Sequence, residues 1–154
     1  TGRVFTGDKS SDFLYKCLFN ANISNQSTSD HVNDGLKIKN AFITPALKCV
    51  PPEDKPLKVE LDNCFKFFNN ELNILKNLKV VVALGKIAFD TCKIFYSKKF
   101  EIPKNVKFQH GKSFKLKNGV NLVGCYHPSP RNVNTGRINE KMMTKLFLKV
   151  KKLD

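Results

Sequence analysis

The sequence predicts an α/β domain in which helices cover a short, mostly parallel central sheet as a three-layer sandwich. Three observations carry that prediction. Lys79 to Leu84 contains the β-branched run Val80-Val81-Val82, which suits a central strand buried on both faces. Val120 to Val123 is a second apolar run, bounded by Gly119 and Gly124. Between and around these runs lie segments with helical periodicity, and strands that alternate with helices fold into layered sheets of this kind.

The elements follow in order. Residues 1 to 9 form a loop in which Gly2 and Gly7 flank Phe5 and permit backbone geometries closed to other residues. Ser10 or Ser11 is placed to cap a helix from about Asp12 with Phe13, Leu14, Cys17 and Leu18 on its apolar face. Residues 24 to 35 are rich in Ser, Asn and Asp and read as a loop. Asn40 to Thr44 reads as a short strand that stops at Pro45, and 49 to 56, with three prolines, reads as irregular. A long amphipathic helix over 58 to 77 places Cys64, Phe68, Leu72 and Leu75 on one face. Gly85 turns the valine strand into a helix over 86 to 97, with Ala88, Cys92 and Phe95 inward. The lysine-rich stretch 98 to 119 allows one or two edge strands. A last helix, 139 to 151, is capped by Asn139 and ends in lysines that suit its C-terminal dipole.

Charge and composition bound the function. The 154 residues carry 27 Lys+Arg against 13 Asp+Glu, a net charge of +14, nearly all of it lysine. A surplus of that size points to a polyanionic partner, with nucleic acid first and an acidic membrane surface second. A hydrophobic content of 41% describes a packed globular chain, which excludes a disordered tail. No segment has the length and apolarity of a membrane span, and no signal peptide is visible. The five cysteines are odd in number and widely spaced, which argues against a disulfide framework and for a reducing, cytoplasmic setting. Residues 1–154 read as one domain, and the start at Thr1 without methionine suggests that its N-terminal part is missing.

The stretch with the densest chemistry is Gly124 to Arg137, which contains His127-Pro128-Ser129-Pro130-Arg131-Asn132. A histidine just past a strand end, on a loop stiffened by two prolines, is aimed at low entropic cost. In α/β sheets ligands bind beyond the carboxyl ends of the strands, where loops starting at Pro45, Gly85 and His127 would stand.

Four ordered blocks together resemble the uracil-DNA glycosylase superfamily, most closely its iron–sulfur branch, type 5 before type 4. They are Gly-Arg-Val-Phe-Thr-Gly-Asp (2 to 8), Cys-Val-Pro-Pro-Glu-Asp-Lys-Pro (49 to 56), Val-Val-Val-Ala-Leu-Gly-Lys-Ile-Ala-Phe (80 to 89) and His-Pro-Ser-Pro-Arg-Asn (127 to 132). The resemblance implies a monomeric base-excision repair enzyme that flips uracil or related deaminated bases out of DNA and hydrolyses the N-glycosidic bond. It implies that Phe5 stacks on the flipped base, although 13 phenylalanines must mostly be core and Phe5 is open to that reading too. It implies that His127 donates a hydrogen bond to the base oxygen where negative charge develops, the logic of an oxyanion hole. Asp8 is the best visible carboxylate for orienting water or for stabilising the sugar cation, and it is equally placed to cap a helix. Ser129, Pro130, Arg131 and Asn132 would form a wedge at the DNA. Cys49 and Cys64 match two of four ligands to a [4Fe–4S] cluster, and the other two would lie upstream of residue 1. Pro45 stands where type 4 enzymes carry an asparagine that reads uracil and cannot make that amide pair. Asn40 is the substitute in view, and broad base selectivity, as in type 5, is the expectation.

Two other classes compete. A non-catalytic basic module for nucleic acid would use the histidine loop as a wedge alone, with Phe100, Phe108 and Phe114 as platforms for single strands. A zinc protein is the weaker alternative, because no C-x-x-C or Cys/His pair stands at ligand spacing.

Overall fold

A computed structural model of the chain describes residues 1–48 and 56–153. Its elements are α1 (Lys9–Asn20), α2 (Lys58–Ile74), β1 (Val80–Leu84), α3 (Lys86–Ser97), β2 (Ser113–Lys115), β3 (Asn121–Cys125), α4 (Pro130–Asn134) and α5 (Glu140–Val150). They group into two compact units, one formed by Thr1–Ile43 with Cys125–Asp154 and the other by Thr44–Gly124.

The first unit is built on α1 and α5, which pack together. Asp8, not Ser10 or Ser11, caps α1: its Oδ1 accepts the Ser11 amide at 2.7 Å while the Asp8 amide donates to Ser11 Oγ at 3.1 Å. A carboxylate at the N-cap with a hydroxyl three residues on closes both ends of a capping box, so the helix starts earlier than the serines suggested. Leu14, Tyr15, Cys17 and Leu18 of α1 are buried, as are Met143, Leu146 and Phe147 of α5. Asn139 caps α5 as expected, its Oδ1 accepting the Met142 amide at 2.9 Å. At the other end Lys151 Nζ donates to the Ala21 carbonyl at 3.0 Å and satisfies a group that the end of α1 leaves open.

Two expectations fail in this unit. Asn40 to Thr44 forms no strand, and Asn40 sits in the left-handed region (φ 51°), which extended backbone cannot hold. The loop 130 to 134, expected irregular, is the short helix α4. Proline fits the first helical position, where its missing N–H costs nothing, and Ser129 caps it by accepting from the Asn132 amide.

The second unit holds the sheet, three strands in the order β1-β3-β2. The expected mostly parallel sheet is a mixed one, because β2 runs antiparallel to β3 with Ser113 opposite Val123, Phe114 opposite Leu122 and Lys115 opposite Asn121. Five residues join those strands, too few for a crossover. The valine strand β1 lies beside β3 at the sheet's edge with only Ala83 buried. The middle strand is β3, where Leu122 to Cys125 are all buried. A Cβ on Gly124 would stand 2.6 Å from the Gln109 carbonyl oxygen, so the close pairing of β3 with the chain at 109 to 111 requires glycine.

Aromatic rings fill the core of this unit. Phe68 meets Phe95 edge-on at 6.0 Å, Phe95 meets Tyr96 at 4.9 Å, and Phe89 meets both Phe108 and Phe114. Phe114 is buried, and Phe100 and Phe108 pack against the same cluster. The three phenylalanines suggested as a platform for single strands are therefore core residues.

Candidate active site

Phe5 and His127 meet in the first unit. His127 stands two residues past the end of β3, and Pro128, fully buried, fixes the chain that follows it. Asn132 of α4 turns back and donates from Nδ2 to the His127 carbonyl at 2.9 Å, which closes the loop beneath the imidazole. The Phe5 ring lies 5.7 Å from the His127 ring, centroid to centroid, and is tilted by 45°. Phe5 itself adopts φ 53°, a left-handed geometry rare for a bulky residue, between Gly2 (φ 71°) and Gly7 (φ 89°).

Burial pushes the His127 imidazole below its ordinary value, and the Asp8 carboxylate pulls it part of the way back up. The ring is therefore neutral at pH 7, with one N–H to donate. Asp8 thus has two roles at once: it caps α1 through Oδ1, and its charge is felt by the imidazole.

The other expected residues fall in different places. Pro130 and Arg131 are exposed on α4, Ser129 is half-buried as its cap, and Asn132 is half-buried with its amide engaged by the loop. Asn40 is exposed in a bend. Cys49 lies outside the described residues. Cys64 is buried on α2, and its Sγ accepts the amide hydrogen of Lys48 at 3.3 Å. Lys48 is held in turn by Glu71, two turns on from Cys64 along the same face of α2, through contacts of 2.7 Å from Nζ to both carboxylate oxygens. An amide aimed at the sulfur is the kind of outer contact that orients a metal ligand, and it is compatible with the cluster role expected of Cys64. The remaining described cysteines do not fit. Burial raises Cys17 to about 11, and Cys92 and Cys125 to about 12, which keeps all three as thiols packed in the core. Among the described residues no three His, Cys, Asp or Glu side chains gather as a metal site.

The sequence reading missed a network beneath Phe5. Arg3 pairs in two-pronged fashion with Asp34, both contacts at 2.9 Å, and also donates to Ser29 Oγ at 2.9 Å and to the Val32 carbonyl at 3.2 Å. One signal was available. The chain has only three arginines among its 27 basic residues, and two of them, Arg3 and Arg131, stand in the blocks that carry the resemblance. Where lysine serves as the general surface cation, an isolated arginine marks a site that needs a planar fork.

A basic α/β chain that sets an aromatic ring beside a neutral, half-buried histidine on a proline-stiffened loop has the parts of a base-flipping enzyme. The sequence pattern of the Uracil DNA glycosylase superfamily matches residues 1–151, and the chain belongs to that family. It is similar to the type-5 uracil-DNA glycosylases of Mycobacterium bovis (37% identity over 99% of this chain and 57% of the relative) and Thermus thermophilus (36%, 99% and 68%). The type-5 enzyme of Pyrobaculum aerophilum is 36% identical over 96% of this chain and 62% of its own length. The chain thus spans between about half and two thirds of these relatives.

Proposed function

We propose that the protein is a type-5 uracil-DNA glycosylase, which flips uracil or a related deaminated base out of DNA and hydrolyses its N-glycosidic bond. The observation that carries this reading is the placement of the Phe5 ring 5.7 Å from a His127 held neutral by burial. An extruded base stacks on Phe5, and the His127 N–H meets the base oxygen on which negative charge gathers as the bond to the sugar breaks. A neutral donor stabilises that anion through its hydrogen bond and keeps its own proton. Asp8 supplies negative charge near the imidazole and, by the same field, favours the cationic sugar.

Ser129, Pro130, Arg131 and Asn132 form the wedge that fills the vacated stack, with Arg131 as its exposed charged tip and Asn132 as its internal brace. The net charge of +14 supplies the pull on the phosphates. Asn40 contacts the base edge. Both units act as one domain, 1–154, a reading supported by the single family match across them. The protein acts as a monomer in the cytoplasm.

Cys64 and Cys49 are assigned as two ligands of a [4Fe–4S] cluster, with the remaining ligands outside these residues. A cluster so held would tie the segment before α2 to that helix, a structural role away from the bond that breaks.

The test is a labelled duplex with one uracil opposite guanine, treated with the protein purified under anaerobic conditions. Alkali-sensitive cleavage at the uracil, lost in His127→Ala while duplex binding persists, is the expected result. Binding without cleavage by the unaltered protein overturns the enzyme reading and leaves a basic binding module.

A further inference from the structure

The residues before and after Phe5 are both anchored, and on the same hydroxyl. Ser29 Oγ, 2% exposed as a residue, accepts from Arg3 Nη1 at 2.9 Å and lies 2.6 Å from Thr6 Oγ1. Thr6 Oγ1 is also 3.2 Å from the Val4 carbonyl. One proton arrangement satisfies all of these contacts: Arg3 donates to Ser29, Ser29 donates to Thr6, and Thr6 donates to Val4. Arg3 is pinned further by Asp34, whose side chain is 6% exposed and whose carboxylate also accepts the amides of Asp30 at 2.8 Å and Leu36 at 3.0 Å. The loop 29 to 36 is thereby a rigid cradle, and the backbone between its two anchor points is where Phe5 takes its left-handed geometry.

A bulky side chain at positive φ persists only where its surroundings over-determine it. The hydrogen bonds that do so here run through Arg3 and Thr6, and none of them touches the Phe5 ring. We propose that Asp34 and Ser29 are positioning residues for the base-stacking platform: through Arg3 and Thr6 they hold Phe5 in the backbone geometry that sets its ring beside His127. The functional part of this inference rests on the glycosylase reading, and its geometric part does not.

The fork explains why arginine stands at position 3. A lysine would offer Asp34 a point charge and could not reach the carboxylate, Ser29 and the Val32 carbonyl at once. Asp34→Asn keeps the shape and removes the charge, while Ser29→Ala removes the shared hydroxyl alone.

Two readouts test the proposal. The first is the position of the His127 ring-proton signals, which the nearby Phe5 ring current displaces, with Phe5→Leu as the reference for a lost ring. In Asp34→Asn the signals are expected to move toward that reference. The second is kinetics on the uracil duplex. Asp34→Asn is expected to raise KM by about tenfold with kcat less affected and binding of undamaged duplex unchanged, the scale of one lost stacking contact. In a Phe5→Leu background the same change is expected to add less than about twofold, because residues that act through one another are not additive. A full effect of Asp34→Asn in that background, or unmoved His127 signals in a folded variant, overturns the proposal. If Asp34→Asn does not fold, Ser29→Ala decides by the same two criteria. If no form of the protein cleaves uracil-DNA, the glycosylase reading falls, and the ring-proton signals alone uphold or overturn the positioning role.

Discussion

Phe5 and His127, from opposite ends of the chain, hold their rings 5.7 Å apart at 45°. The tilt leaves neither ring stacked on the other, so the Phe5 face is not consumed by the contact. Phe5→Ala should therefore cost base binding more than chemistry. Stacking of a base on an aromatic ring contributes about 1–3 kcal/mol, so a loss of about 5- to 150-fold in kcat/KM is expected, carried mainly by KM. Steady-state kinetics on a uracil duplex measures it, and a loss confined to kcat would contradict the assignment.

His127 gives a pH prediction whose sign is fixed by burial. Its folded value lies below the ordinary histidine value, so the unfolded chain takes up the proton first as the pH falls. The stability that the neutral ring contributes is whole above about pH 6.5 and is lost as the pH drops toward the folded value. NMR titration should place His127 below a free histidine, and Asp8→Asn should lower it further by removing the charge that pulls it up. A His127 that titrates above the ordinary value would contradict the half-buried, neutral donor.

Asp8 is both cap and charge, and two substitutions separate these roles. Asparagine caps a helix about as well as aspartate, whereas alanine forfeits about 1 kcal/mol. Asp8→Asn is therefore expected to melt near the unaltered protein, and Asp8→Ala several degrees lower. If both changes reduce the cleavage rate alike, the carboxylate matters to the chemistry. If only Asp8→Ala does so, the effect runs through the start of α1.

Much of the scaffold was legible because local chemistry decided it. Helix α3 ends where sequence periodicity ends, and Asn139 caps α5 as its side chain suggests. The failures have specific causes. Asn40 tolerates a left-handed backbone that a strand cannot contain, Pro130 begins a helix instead of breaking one, and β1 lies at the edge although its valines suit a strand's interior. The approach of Phe5 to His127 was legible through family resemblance alone, since no pattern within the chain relates the two. The rarity of arginine marked Arg3, but nothing in the sequence pointed to Asp34 as its partner. The pair joins two loops 31 residues apart, and side-chain partners across loops leave no periodicity.

Gly124 tests how β3 is seated. An added methyl would meet the Gln109 carbonyl oxygen at 2.6 Å, and the neighbour is backbone, which cannot swing away. Gly124→Ala should destabilise the protein by about 1–3 kcal/mol, the usual cost of overpacking, with a lower midpoint in urea. An unchanged midpoint would mean that the pairing of Gly124 with His110 is dispensable.

The amide of Lys48 reaches Cys64 Sγ because Glu71 holds the lysine's other end, and Thr44 Oγ1 donates to the same carboxylate at 2.5 Å. Burial pushes Glu71 up, but its bonds with Lys48 and Thr44 outweigh that and hold it below the usual value. A depressed carboxylate contributes stability above its unfolded value, about pH 4.3, and loses it as the pH falls through the folded value. Glu71→Gln should accordingly flatten the loss of stability between neutral and acid pH, measured as urea midpoints across that range. At pH 7 the same substitution releases the segment from Thr44 to Lys48, so in protein freed of any cluster Cys64 should react with a maleimide faster than in the unaltered protein treated alike. An equal rate in both proteins would show that the ion pair does not seat the Lys48 amide on the sulfur.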